Sequence, residues 1–190
     1  MKKVWLFVII IAVIIVAVLW FTVSVRNSLI AMDESVNANW SQIETQLQRR
    51  ADLIPNLVSA VKGYAVHEEK IFTEVADARA RLLGADGAQA KAEASDELSS
   101  ALGRLMAIAE SYPELKADIS FIRLQDELAG TENRIAVART RFNDAVRSYN
   151  AAIRQFPGSL FAGGMGLTMR EYFESSTGRT ALEQAPEFKF

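Results

Sequence analysis

The chain has 190 residues, half of them hydrophobic, with 21 basic and 23 acidic side chains, one histidine and no cysteine. Zero cysteine excludes disulfides, thiolate metal sites, cysteine nucleophiles and lipoprotein attachment, and one histidine leaves a histidine-based zinc site or proton relay without partners. A net acidic chain with no basic patch offers no electrostatic footprint for nucleic acid, and its soluble part has no charge-driven attraction to anionic lipid.

Val4 opens and Val25 closes a run of 22 residues without charge or proline. As a helix this run is about 33 Å long, matching the hydrocarbon core of a bilayer. Trp5, Trp20 and Phe21 stand near its ends, where amphipathic rings favour the membrane interface. A cleaved signal peptide would carry a shorter apolar region and small residues at its cleavage site. The bulky stretch Trp20-Phe21-Thr22-Val23-Ser24-Val25 does not fit that pattern, so a retained anchor is expected. Lys2 and Lys3 precede the run and only Arg26 closely follows it, which predicts a cytoplasmic amino terminus and an exported bulk.

Beyond the run, steps of four and three from Val36 reach Trp40, Ile43, Leu47, Arg50, Ile54, Leu57, Val61 and Tyr64, then Glu68, Ile71, Val75, Ala78 and Leu82. This is a helix-packing seam of coiled-coil type, broken only by Arg50 and Glu68. Because the register survives Pro55, a kink is expected there rather than a reversal. Near Gly63 to His67 the chain is expected to break into a second helix, and Gly84-Ala85-Asp86-Gly87-Ala88 to end it. Leu98, Leu102, Leu105, Ala109 and Tyr112 mark a third helix, closed by Pro113 or followed by a helix that Pro113 opens. Phe121, Leu124, Leu128, Thr131, Ile135, Ala138, Phe142, Ala145, Tyr149, Ala152 and Phe156 trace a long fourth.

The predicted fold is therefore all-α: one transmembrane helix followed by an up-and-down four-helix bundle with kinked long helices, at about 27–62, 66–83, 91–112 and 114–156. The domain plan is an anchor over 1–26, a bundle over 27–156 and a glycine- and aromatic-rich tail over 157–190.

Several stretches resemble the LemA family. They are Arg49-Arg50-Ala51-Asp52-Leu53-Ile54-Pro55-Asn56-Leu57-Val58, Val61-Lys62-Gly63-Tyr64-Ala65 with His67-Glu68, Ala109-Glu110-Ser111-Tyr112-Pro113-Glu114-Leu115-Lys116, Glu132-Asn133-Arg134-Ile135, and Tyr149-Asn150 with Phe156-Pro157. The likeness runs from about residue 27 to 173. Phe142-Asn143 departs from the family's Tyr-Asn by one hydroxyl, and Ala162-Gly163-Gly164-Met165-Gly166 is looser than the family pattern. The resemblance implies a single-pass bacterial membrane protein with a helical bundle, and it supplies no reaction. Family members are often encoded beside a membrane zinc metalloprotease, which implies such a partner and a role in envelope quality control.

Among polar candidates, Arg49, Arg50 and Asp52 form the most pointed cluster. Arg50 on the seam either grips a partner's carboxylate or a lipid phosphate, or pairs internally with an acidic residue on a neighbouring helix to set register. Glu68, the other seam break, is the first internal partner to test. His67-Glu68-Glu69 reads as a solvated helix start with acidic first-turn residues, and no residue is assigned to catalysis, cofactor or metal. In the tail, Phe156, Leu160, Phe161, Met165, Leu167, Tyr172 and Phe173 make an apolar segment. It lies at the membrane surface, fills a neighbouring subunit's groove, or caps its own bundle.

The function expected is a non-enzymatic, membrane-anchored scaffold or adaptor of the cell envelope, acting on a protein partner or as a homo-oligomer through the tail. The competing readings are a carboxylate-metal enzyme in the bundle core, which metal analysis would reveal, and a lipid-binding bundle, which co-purified phospholipid would reveal.

Overall fold

The computed structural model describes residues 2–65 and 67–174. The expected helix start at Val66 and residues 175–190 of the tail lie outside them. The described chain is all-α, as predicted. Helix α1 spans Lys2–Lys62, α2 Glu69–Gly84, α3 Ala88–Ala109, α4 Pro113–Lys116, α5 Ile119–Arg154 and α6 Gly158–Ala162, followed by a 3-10 turn at Gly163–Met165. Two compact units result, one from residues 1–38 with 144–170, the other from 39–143 with the tail after Arg170.

In the first unit, α1 begins as a helix exposed on all sides: every large apolar residue from Trp5 to Phe21 that is described is open. It is long and apolar enough to cross a membrane. One-sided burial begins at Leu29 and continues at Val36. No break separates the apolar run from this buried stripe, because nothing between Val25 and Asn39 is a glycine or proline.

In the second unit, cross-helix partners fix the direction of each helix. Moving back along α1 from Tyr64 through Arg50 to Trp40, the partners on the α5 side advance from Asp118 through Glu132 to Phe142. Those two helices are therefore antiparallel. Arg81 with Glu97 and Arg104 with Glu74 show the same for α2 and α3. The predicted seam is the core: Ile43, Leu47, Ile54, Leu57, Val61, Ile71, Val75, Ala78 and Leu82 are all buried, as are Leu98, Leu102, Leu105, Phe121 and Ile135. Tyr64 leaves the seam and is exposed at the end of α1.

Some helix ends differ from the sequence expectation, and each has a local cause. Of the two glycines in the expected break, only Gly87, which immediately precedes α3, has a positive φ, 81°. Gly84 remains helical. Pro113 opens a helix at its first turn, but that helix is a single turn. Asp118 then starts α5 afresh, accepting the N–H groups of Ser120 at 2.7 Å and Phe121 at 3.2 Å. An aspartate capping two otherwise orphaned donors explains why one long helix becomes two. Those bonds, Phe121's first and then Ser120's, hold the Asp118 carboxyl below its usual range.

Pro55 sits inside α1, which continues through it. Proline lacks the N–H that would reach the carbonyl of Ala51 four residues earlier. Ala51 is buried, and a buried unpaired carbonyl is costly. Arg79 of α2 supplies the missing donor, its Nε lying 2.7 Å from the Ala51 oxygen.

Candidate functional site

Arg50 projects from α1 into the second unit's interior and is 4% exposed. Its Nη1 lies 2.9 Å from Glu132 Oε2 on α5 and 3.3 Å from Ser95 Oγ on α3. Its Nη2 donates to Ser99 Oγ at 3.0 Å. Ser99 in turn donates to the Ser95 carbonyl at 2.9 Å. One guanidinium thus ties three helices, as its five-donor planar fork allows and a lysine would not. Burial lowers the Arg50 pKa, opposed by the charges of Glu132 and then Asp96. Its Nε is buried without a partner.

The carboxylate here is Glu132, not Glu68. Glu68 is half-buried just ahead of α2, where its backbone N–H bonds to the Ala65 carbonyl. Arg49 points to the surface and pairs with Glu127 of α5. Asp52, also exposed, accepts from Gln48 within α1 at 2.9 Å. The three neighbours in sequence therefore do three separate things. Ser95, Ser99 and Glu132 were not singled out as site residues, although Glu132 opens one of the family-like stretches. Two serines spaced four apart on the apolar stripe of α3 were the available signal.

The tail residues also separate. Phe173 is buried, its ring 6.2 Å from Trp40, which also meets Phe142 at 5.3 Å. Asn143 clamps this residue's backbone: it accepts the Phe173 N–H at 2.9 Å and donates to the Phe173 carbonyl at 3.2 Å. Phe142 fits this packing without a hydroxyl, which would need a partner here.

In the first unit, Asn150 makes the same two-sided clamp on Arg170, with both bonds at 2.9 Å. Tyr149 donates to the Thr168 carbonyl at 3.0 Å, and Arg170 binds Asp33 Oδ1 through Nη2 at 2.9 Å and Nε at 3.2 Å. Burial, then the Asp33 charge, raise the Tyr149 pKa, keeping its hydroxyl a donor. Tyr172, Phe161, Met165 and Leu167 are half-buried, whereas Phe156 and Leu160 are open. The clamping asparagines were missed as clamps, although an amide on the apolar face of a helix always needs a partner.

The surface grooves are shallow and of mixed polarity. One of about 450 Å³ lies beside Glu44, Gln48 and Leu83, and one of about 360 Å³ beside Gln42, Asn133 and Val137. Among the described residues no group of three or more histidine, aspartate or glutamate side chains is gathered for a metal.

These features define an all-α, membrane-associated class of protein: one long apolar amino-terminal helix, then packed helices, three of them bridged by an internal arginine. The chain belongs to the LemA family, whose model matches residues 39–190. It is similar to Magnetosome protein MamQ of Magnetospirillum gryphiswaldense, 32% identical over 183 residues, covering 82% of this chain and 67% of that protein. Magnetosome protein MamQ 2 of Paramagnetospirillum magneticum is 30% identical over 174 residues, covering 78% and 64%. Protein LemA of Metamycoplasma hominis is 23% identical over 132 residues, covering 69% and 60%. The chain thus spans roughly two thirds of the length of these relatives.

Proposed function

We propose that this protein is a single-pass membrane scaffold or adaptor without catalytic activity, holding its helical bundle on the extracytoplasmic side of a bacterial inner membrane. The observation that carries the reading is the change along α1 within one compact unit: an apolar helix open on every side becomes, without interruption, a helix buried on one side at Leu29 and Val36. A water-exposed stripe of that size is untenable, so a bilayer covers it. Retention follows, because removing the run would cut a continuous helix directly beside its packed part.

An anchor confines the bundle to a surface, so that modest contacts with another membrane protein gain effective concentration. A protein partner, of the membrane-metalloprotease kind or a second copy, is part of the proposal. Because the chain has no cysteine, Asp86→Cys introduces a unique label on the exposed turn between α2 and α3. Labelling of spheroplasts by a membrane-impermeant maleimide is expected without lysis, and labelling only after lysis would reverse the orientation. Photo-crosslinking from exposed Val137 should yield protein adducts that depend on residues 4–25. Their absence would remove the adaptor role.

A further inference from the structure

The turn after α5 combines two unusual properties. Phe156 and Leu160 are 77% and 68% exposed, and Phe156 is more open even than Trp20 in the apolar run. They also sit at a definite height on α1. A methyl group placed on Gly158 would lie 3.3 Å from Leu29 Cδ2, and Phe156 and Pro157 share a groove of about 300 Å³ with Ser24, Val25 and Ser28. Leu29 is four residues past the end of the apolar run, about 6 Å along the helix. The headgroup layer on each face of a bilayer is about 5–7 Å thick. The exposed ring is therefore level with that layer.

Charge agrees with the height. Leaving out Lys2 and Lys3, which stand at the opposite end of the apolar run, the first unit holds four basic and three acidic residues, while the rest of the chain outside this unit holds 15 basic and 20 acidic. No acidic residue occurs between Asp144 and Glu171, and none before Asp33. Arg26 and Arg154, both exposed, flank the same region. Arg147 and Arg170 are paired with Asp144 and Asp33, so Arg26 and Arg154 are the exposed cations at this apolar end, which the net acidity of the whole chain conceals. Aromatic and aliphatic side chains close in sequence to exposed arginines suit the glycerol and phosphate zone of a lipid leaflet.

We propose that this turn is a second, shallow membrane contact, with Phe156 and Leu160 inserted among the lipid headgroups beside the exit of α1. It rests on the reading of residues 4–25 as a transmembrane anchor. The occupant is the bilayer because the hydrophobic span fixes where lipid must be, and these side chains stand at its edge. Two points of attachment would limit how far this unit can tilt about its single helix.

The test uses the full chain in vesicles of phosphatidylcholine and phosphatidylglycerol, carrying an environment-sensitive fluorophore on one introduced cysteine. Phe156→Cys and Leu160→Cys both alter exposed side chains, so the fold is expected to persist, and circular dichroism checks this. Labels at both positions should emit at shorter wavelength and lose most of their emission to lipids brominated near the headgroup. A label at Val13→Cys should be quenched by deeply brominated lipid. Quenching at Val13→Cys with none at positions 156 and 160 overturns the shallow contact and leaves the anchor standing. A blue shift there without lipid quenching also overturns it, pointing to a protein cover. No quenching at Val13→Cys removes the anchor and this inference together.

Discussion

Arg50 and Phe156 are placed against the general rule in opposite ways. The second unit buries a guanidinium among three helices, and the first leaves a phenyl ring almost fully open. The interior exception is compensated by protein groups, Glu132, Ser95 and Ser99. The surface exception has no such cover among the described residues, which is why a lipid contact is proposed for it. A misplaced polar group can thus be neutralised by neighbours and become a register pin, whereas a misplaced apolar group marks a boundary with another medium.

Breaking the interior side of this contrast should have the largest effect, and an asymmetric one. Glu132 is 52% exposed at its side chain, whereas Arg50 is 5%. Glu132→Gln strands a buried cation and should cost about 3 kcal/mol in thermal unfolding followed by circular dichroism. Arg50→Met fills the space with an apolar chain and frees Glu132 to water, so its cost should be near zero. Equal losses from both substitutions would show that the Arg50–Glu132 pair is itself net stabilising, beyond what an apolar chain of similar volume supplies.

At the other region, Gly158→Ala should rank next. A methyl there would fall 2.1 Å from the Ala152 carbonyl oxygen, a backbone atom that cannot give way cheaply. About 2 kcal/mol of destabilisation is expected from such overpacking. In vesicles the variant should also move a Leu160→Cys label, linking this corner's packing to its height at the membrane.

A buried polar group of the backbone sharpens the comparison further. Arg79→Met removes the donor to the Ala51 carbonyl and should cost about 1.5 kcal/mol. In the Pro55→Ala background a helical N–H becomes available, and most of that cost should disappear. Additive losses would show that Arg79 matters for some other reason.

The smallest effect concerns a cap exposed to water. The folded-state pKa of Asp118 is lowered, so its stabilisation is present above the unfolded carboxyl value of about 4 and is lost as pH falls through the folded value. Asp118→Asn keeps an acceptor but not the charge. The variant should unfold more easily than the parent near neutrality, and the difference should fade below about pH 4. A difference that persists in acid would assign the effect to geometry rather than charge.

Most of the architecture was legible because burial follows period. The three-and-four stepping from Val36 to Leu82 and from Phe121 to Tyr149 falls on 15 of the 31 buried apolar residues among those described, and that of Leu98, Leu102, Leu105 and Ala109 adds four more. Tyr64 and Phe156 are the informative misses: each continues the stepping past the point where a neighbouring helix covers it. The site was less legible. Arg50 stood out as a charge on an apolar seam, but its partners lie 45, 49 and 82 residues away, and no local pattern encodes such pairings.

Sequence alone determined the apolar run, the all-α class and the helical seams, since each depends on the spacing of side chains along one chain. Tertiary structure decided that Glu132 answers Arg50, that Arg79 serves the carbonyl left by Pro55, and that Phe173 is buried while Phe156 is open. Those outcomes depend on which faces meet, and a periodic pattern says that a face is buried without saying against what.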